Sequence, residues 1–152
     1  MKTIAHNNQA RFKYSISETY EAGIVLSGSE VKAIKTGHIS LKESFVSVKG
    51  AELFLVNAHI PPYQPAGDIK NYDPTRPRKL LLKKSEINNL IGKMHSQGLT
   101  LVPIRVYTKK RLLKLEFGIG KGKKQYDKRD SIAKREMERK MDRALKNRRR
   151  FE

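Results

Sequence analysis

The chain has 152 residues, with 33 Lys and Arg against 15 Asp and Glu, and no cysteine. The absent cysteines exclude disulfides, Cys-ligated zinc and thiol nucleophiles. The net charge of +18 makes a polyanion the expected partner, nucleic acid first, because neutralised phosphates release condensed counterions.

This length fits one domain plus an appendage. A body of roughly 120 residues can bury about two thirds of its unfolded surface, so it needs no staple. The start, MKTIAHNNQARFKY, lacks an apolar h-region and is not expected to be a secretory signal. No apolar run approaches the roughly 18 residues of a membrane span. An anionic membrane surface is the weaker polyanion, since the C-terminal tail lacks the Trp, Phe and Leu face of an interfacial helix.

Residues 1–13 are polar and expected to fray. From Tyr14 the pattern is strand-like: Tyr14 and Ile16 alternate with Ser15 and Ser17, and Gly23-Ile24-Val25-Leu26 is a short apolar run. Ser29 is the predicted cap of a short helix from Glu30 to Lys35, with Val31 and Ile34 on one face and Gly37 as its stop. Phe45, Val46 and Val48 mark a strand, Gly50-Ala51 a turn, and ELFLVNAHI, from Glu52 to Ile60, the next strand. The stretch from Pro61 to Pro77 holds five of the six prolines and reads as a loop, with Arg76, Arg78 and Lys79 concentrating charge at its end.

Leu80-Leu81-Leu82 follows. Ser85 is a good N-cap for an amphipathic helix through Ile87, Leu90, Ile91 and Met94, ended by Gly98. Leu99 to Tyr107 is a strand in which Pro103 predicts an edge or a bulge. Lys109-Lys110-Arg111 is the predicted hairpin turn, after which Leu113, Leu115, Phe117 and Ile119 alternate with Lys114, Glu116 and Gly118. About six short strands without βαβ alternation predict a mainly β body, a small antiparallel barrel or sandwich with two helices.

The predicted division is a folded body over 1–120 and a basic tail over 121–152. The tail carries 14 Lys and Arg against six Asp and Glu. A helix capped by Asp130 or Ser131 is predicted to run to about Asn147, with Ile132, Met137, Met141 and Leu145 in a narrow stripe and Lys134–Glu138 and Glu136–Lys140 as i, i+4 pairs. A stripe this thin does not offset the ordering entropy of an isolated helix, so the tail is expected to be disordered alone and helical when docked.

No catalytic constellation is legible. His6, His38, His59 and His95 are scattered, none at the i, i+4 spacing of a helical metal site, and there is no Gly-x-Ser-x-Gly elbow. The run from Gly118 to Lys124 lacks P-loop spacing and reads as a flexible basic hinge, or equally as a plain linker. Tyr126 lies between cations in KKQYDKR, an arrangement that suits base stacking worth about 1–3 kcal/mol. An exposed Tyr in a charged coil is the plainer reading of the same spacing. Glu21, in TYEAGI, is either an acceptor for base or ribose donors or a solvated or Arg-paired carboxylate.

Taken together, YEAGIVLSGSEVKAIKTGHISLKESFV (Tyr20 to Val46), DPTRPRKLLL (Asp73 to Leu82), EI…L…GLTLVPI (Glu86 to Ile104) and GKKQYDKR (Gly122 to Arg129) resemble the small protein B (SmpB) family of tmRNA-binding proteins. The resemblance runs from about Asn8 to Arg135, and four ordered motifs make it specific. It implies an OB-fold-like antiparallel barrel with two or three flanking helices. It also implies a non-enzymatic, cytoplasmic role in trans-translation without cofactor, metal or small-molecule substrate.

The partners implied are tmRNA, through its tRNA-like domain, the ribosome, through small-subunit rRNA, and elongation factor Tu carrying alanyl-tmRNA. Carried over by motif, the tmRNA-facing residues are Glu21, Leu81, Lys83 and Lys114. Lys83 stands where the family usually has His or Asn, which keeps a phosphate contact open and puts a specific base contact in doubt. Gly122, Lys123, Lys124, Tyr126, Asp127, Lys128 and Arg129 match the segment implied to enter the decoding centre. Ile132 and Arg135 match the start of a helix implied to line the empty mRNA channel, with Met137 where many members carry a bulkier aromatic.

Two other classes compete. A general basic ribosomal or RNA-chaperone protein shares the composition but not the four ordered motifs. An RNA-modifying or hydrolytic enzyme would need a carboxylate cluster or a nucleophile–base pair, and none is legible.

Overall fold

A computed structural model describes residues 1–63, 71–123 and 135–144. The chain forms seven strands: β1 (Lys2–His6), β2 (Tyr14–Ile24), β3 (Phe45–Lys49), β4 (Glu52–Val56), β5 (Arg78–Leu81), β6 (Thr100–Lys109) and β7 (Leu112–Gly122). The helices are α1 (Ala10–Lys13), α2 (Gly28–Lys35), α3 (Lys84–Gln97) and, in the tail, α4 over 135–144.

All pairings are antiparallel, in the order β1-β6-β3-β4-β5-β2-β7, and β6 pairs with β7 to close the sheet into a ring. The expected β barrel is therefore present. Six strands make the ring, and the seventh, β1, shares an edge of β6 with β3. That edge pairs with β3 at Leu101 and with β1 from Arg105 to Thr108. The N-terminus, expected to fray, is thus a sheet strand followed by a short helix. Asn7 fixes the corner: its backbone N–H donates to the Ile104 carbonyl at 2.7 Å and its side-chain amide to the Pro103 carbonyl at 2.9 Å. The bulge predicted from Pro103 is present, as a register shift between Pro103 and Arg105 against β7.

The core is the inward alternation of the ring. Leu53, Leu55, Leu80, Leu101, Val106, Leu115, Phe117 and Ile119 are buried together with Ile34 of α2 and Leu90 of α3. Leu90 is the one residue of the predicted α3 stripe that is fully buried. The helix starts at Lys84 after Lys83, without a side-chain cap, rather than from Ser85, and Gly98 ends it in the left-handed region at φ 59°. Lys93 ties α3 to β2 through Glu18 at 2.6 Å.

Helix α2 is capped by Ser27 rather than Ser29. Ser27 Oγ accepts from the Glu30 backbone N–H at 3.3 Å, and Glu30 Oε1 accepts from the Ser27 N–H at 3.0 Å, a reciprocal capping box. Glu30 is also the anchor for two arginines. Arg78 Nε donates to Glu30 Oε2 at 2.8 Å, and Arg76 donates to Oε1. Arg78 further donates to the carbonyls of Ala58 at 2.7 Å and Pro74 at 3.0 Å. Arg78, read as part of the charge concentrated at the end of the loop, is completely buried and joins α2, the chain after β4 and β5.

Candidate nucleic-acid interface

On the outer face of the ring, register aligns residues far apart in sequence. Gly23 of β2 pairs with Leu81 of β5 on one side and with Lys114 of β7 on the other. Lys114 in turn pairs with Tyr107 of β6. The adjacent outward row is Glu21 of β2, Glu116 of β7 and Arg105 of β6. The structure thus brings Glu21, Leu81 and Lys114 onto one face, each from a different strand. Gly23 lies directly against Leu81: a Cβ on it would be in van der Waals contact with Leu81 Cβ at 3.4 Å.

The face is amphipathic. Leu81 is 53% exposed, and Leu112 also faces solvent. A concavity of about 270 Å³ that includes them is lined also by the half-buried Leu26, Val31 and Leu113 and by Lys35, Arg111 and Lys114. The hairpin turn falls where the sequence predicts it, but Lys110 and Arg111 both adopt left-handed backbone, at φ 50° and 68°. That pair of positive angles is the type I′ pattern that suits the twist of a two-residue hairpin. Lys83, just beyond β5, is exposed.

Glu21 is neither plainly solvated nor Arg-paired. Its Oε2 accepts from the Tyr107 hydroxyl, and Lys109 Nζ lies 3.5 Å from the same oxygen. The Tyr107 hydrogen bond holds the Glu21 carboxyl below its ordinary 4.5; partial burial opposes this, and Lys109 and Lys114 reinforce it. Burial and then the Glu21 hydrogen bond push the Tyr107 phenol well above its ordinary 10.0. At neutral pH the carboxylate is therefore ionised and only accepts, and the phenol keeps its proton. Arg105 lies over the Tyr107 ring, 4.6 Å from its centroid, and pairs with Glu116.

Tyr107, Arg105 and Lys109 are absent from the predicted site residues. Their alternation opposite Val106 is the one signal in the sequence, and it does not reveal a partner on β2.

Of the tail residues predicted as ribosome contacts, Gly122, Lys123 and Arg135 are described. Gly122 pairs with Tyr14, and the Lys123 N–H donates to the Lys13 carbonyl at 2.9 Å. The stretch from Gly118 to Gly122, read as a hinge or linker, is sheet. Its glycines admit β2: a Cβ on Gly118 would lie 2.6 Å from Ile16 Cγ2 and 3.0 Å from the Glu18 carbonyl oxygen. Arg135, at the start of α4, places its guanidinium 5.8 Å from the Phe12 ring centroid. Met137 and Met141 of α4 are exposed. Lys124, Tyr126, Asp127, Lys128, Arg129 and Ile132 lie outside the described residues. Among the described residues no group of three His, Asp or Glu could hold a metal ion, and no helix is long and apolar enough to cross a membrane.

Residues 4–147 match the family described as SmpB protein. An SsrA-binding protein of Chloroflexus aggregans is 53% identical over 145 residues, 95% of this chain and 92% of that protein. An SsrA-binding protein of Enterococcus faecalis is 51% identical over 149 residues, 98% of this chain and 96% of its own length. A solved chain described as "tmRNA-SmpB: a journey to the center of the bacterial ribosome" is 45% identical, with a TM-score of 0.65 over 80% of this chain and 85% of that one. Matched by its family over nearly its whole length, and by relatives that share half its residues, the chain belongs to the SmpB protein family.

Proposed function

We propose that the chain is an RNA-binding adaptor of trans-translation. It binds the tRNA-like domain of tmRNA with the outer face of its barrel and acts on stalled ribosomes. Membership of the family supports the role, and the convergence of Glu21, Leu81 and Lys114 on one face is the observation that carries the RNA-binding surface. Exposed Leu81 and Leu112, the neighbouring cations and one ionised acceptor suit unstacked bases, phosphates and a base or ribose donor respectively. Lys83 adds a phosphate contact beside that face.

In the same reading, the body over 1–120 chooses the RNA and the basic tail over 121–152 senses the empty ribosome. Gly122, Lys123, Lys124, Tyr126, Asp127, Lys128 and Arg129 enter the decoding centre, where Tyr126 stacks on a small-subunit rRNA base. Ile132 and Arg135 open the helix that lines the mRNA channel. The adaptor works in the cytoplasm, by binding rather than catalysis, and accompanies alanyl-tmRNA with elongation factor Tu.

Gel shifts over several salt concentrations test the selectivity. The tRNA-like domain of tmRNA is expected to bind more tightly than bulk tRNA at every salt, with both affinities falling as salt rises. Equal affinities at physiological salt would return the general basic RNA binder.

A further inference from the structure

Tyr107 crosses the sheet to reach Glu21. Its Cα sits on β6, in the row of Lys114 and Gly23, whereas Glu21 sits on β2, in the row of Glu116 and Arg105. Between the two strands lies β7. The tyrosine side chain spans it and ends with its hydroxyl on Glu21 Oε2. An outward residue of a sheet is ordinarily wet, yet Tyr107 is only 3% exposed, while the Glu21 side chain is 38% exposed.

The ring is held from above by the Arg105 guanidinium, and Arg105 is fixed in turn by Glu116 and by Thr3 Oγ1 at 3.0 Å. Among the described residues, both side-chain donors to Glu21 bind Oε2, leaving Oε1 as an acceptor. Thr3, Arg105, Glu116 and Tyr107 form a chain of contacts from β1 across to β2, and it ends on the carboxylate.

We infer that Tyr107 is a positioning residue: clamped by Arg105, it fixes the rotamer of Glu21 so that Oε1 is presented to an N–H or O–H donor of the bound RNA. The inference rests on the reading of Glu21 as an RNA contact. A glutamate on an exposed strand samples several rotamers and loses that freedom on binding; one already held by a buried phenol does not. The phenol suits the task because it donates from a buried position and adds no charge to the one that Lys109 already brings to Oε2.

The test is a double-mutant cycle on the full chain, read by affinity for the tRNA-like domain of tmRNA. Tyr107→Phe removes one oxygen and keeps the ring under Arg105. It is expected to weaken binding about three- to tenfold, in line with the ordering of one side chain. In a Glu21→Ala background the same change is expected to have no further effect. Carboxyl carbon resonances give a second readout: in Tyr107→Phe the Glu21 titration should move up towards the ordinary glutamate value. The groups facing Glu21 there are Lys109 of β6 and Lys114 and Glu116 of β7, all unchanged by the substitution.

Arg105→Lys keeps a cation for Glu116 but removes the planar group from the ring. It is the second variant, and it too should weaken binding only where Glu21 is present. Unchanged affinity of Tyr107→Phe beside a weakened Glu21→Ala overturns the positioning role. Equal losses in both backgrounds, for either variant, overturn it as well. If Glu21→Ala itself binds like the parent, the reading of Glu21 as an RNA contact fails, which is a separate result.

Discussion

Glu30 is almost fully buried, and an ionised carboxylate in that position is tolerable only when it is paired. Burial pushes its pKa up, but the Ser27 N–H, Arg76 and Arg78 outweigh burial and hold it below the ordinary 4.5. A depressed carboxyl contributes stability that is complete above the unfolded-state pKa and lost as pH falls through the folded-state one. Glu30→Gln leaves Arg78 buried without its countercharge, and an expected loss of about 3 kcal/mol at pH 7 follows, read by urea unfolding. The gap from the parent should narrow as pH drops below 4.5. Half of this site was open to the sequence but missed in favour of Ser29: Ser27 stands three residues before Glu30, which is the spacing of a capping box. The arginine pairing was not legible, because it depends on a contact 48 residues along the chain. Glu21 teaches the same lesson: its motif identified it, but its partner Tyr107 is 86 residues away.

Strand β7 was readable because its inward residues alternate, and β6 because it is a short apolar run in which Pro103 announces a bulge. Strand β1 was not. KTIAH carries little apolar signal, and its place depends on the stretch of β6 edge that β3 leaves unpaired beyond Leu101. The glycines of β7 misled for a related reason. Gly118 and Gly120 look like flexibility in a sequence, yet in the sheet they make room for the neighbouring strand at the Ile16–Glu18 bulge. Gly118→Ala is therefore expected to lower stability by about 1–3 kcal/mol, since Ile16 and the Glu18 backbone must both give way. Thermal unfolding measures it. Gly122→Ala is the control and should be close to neutral, as nothing lies within 4 Å of its added Cβ.

At the scale of the whole molecule, the ladder between β2 and β7 reaches Gly122, and Lys123 still donates to Lys13. A chain ending at Lys123 should therefore fold and keep most of its affinity for the tRNA-like domain of tmRNA. In the proposed division of labour it should lose peptide tagging on stalled ribosomes. Tagging at the parental rate by this shortened chain would make the tail a solubilising appendage. The continuity of β7 also sets a length. Lys114, in the proposed RNA face, and Gly122, at the root of the tail, are two marks on one strand, at most about 27 Å apart at the rise of an extended chain. No slack linker intervenes between them, so β7 acts as a ruler: wherever the barrel grips its RNA, the tail must start at a fixed distance from that grip.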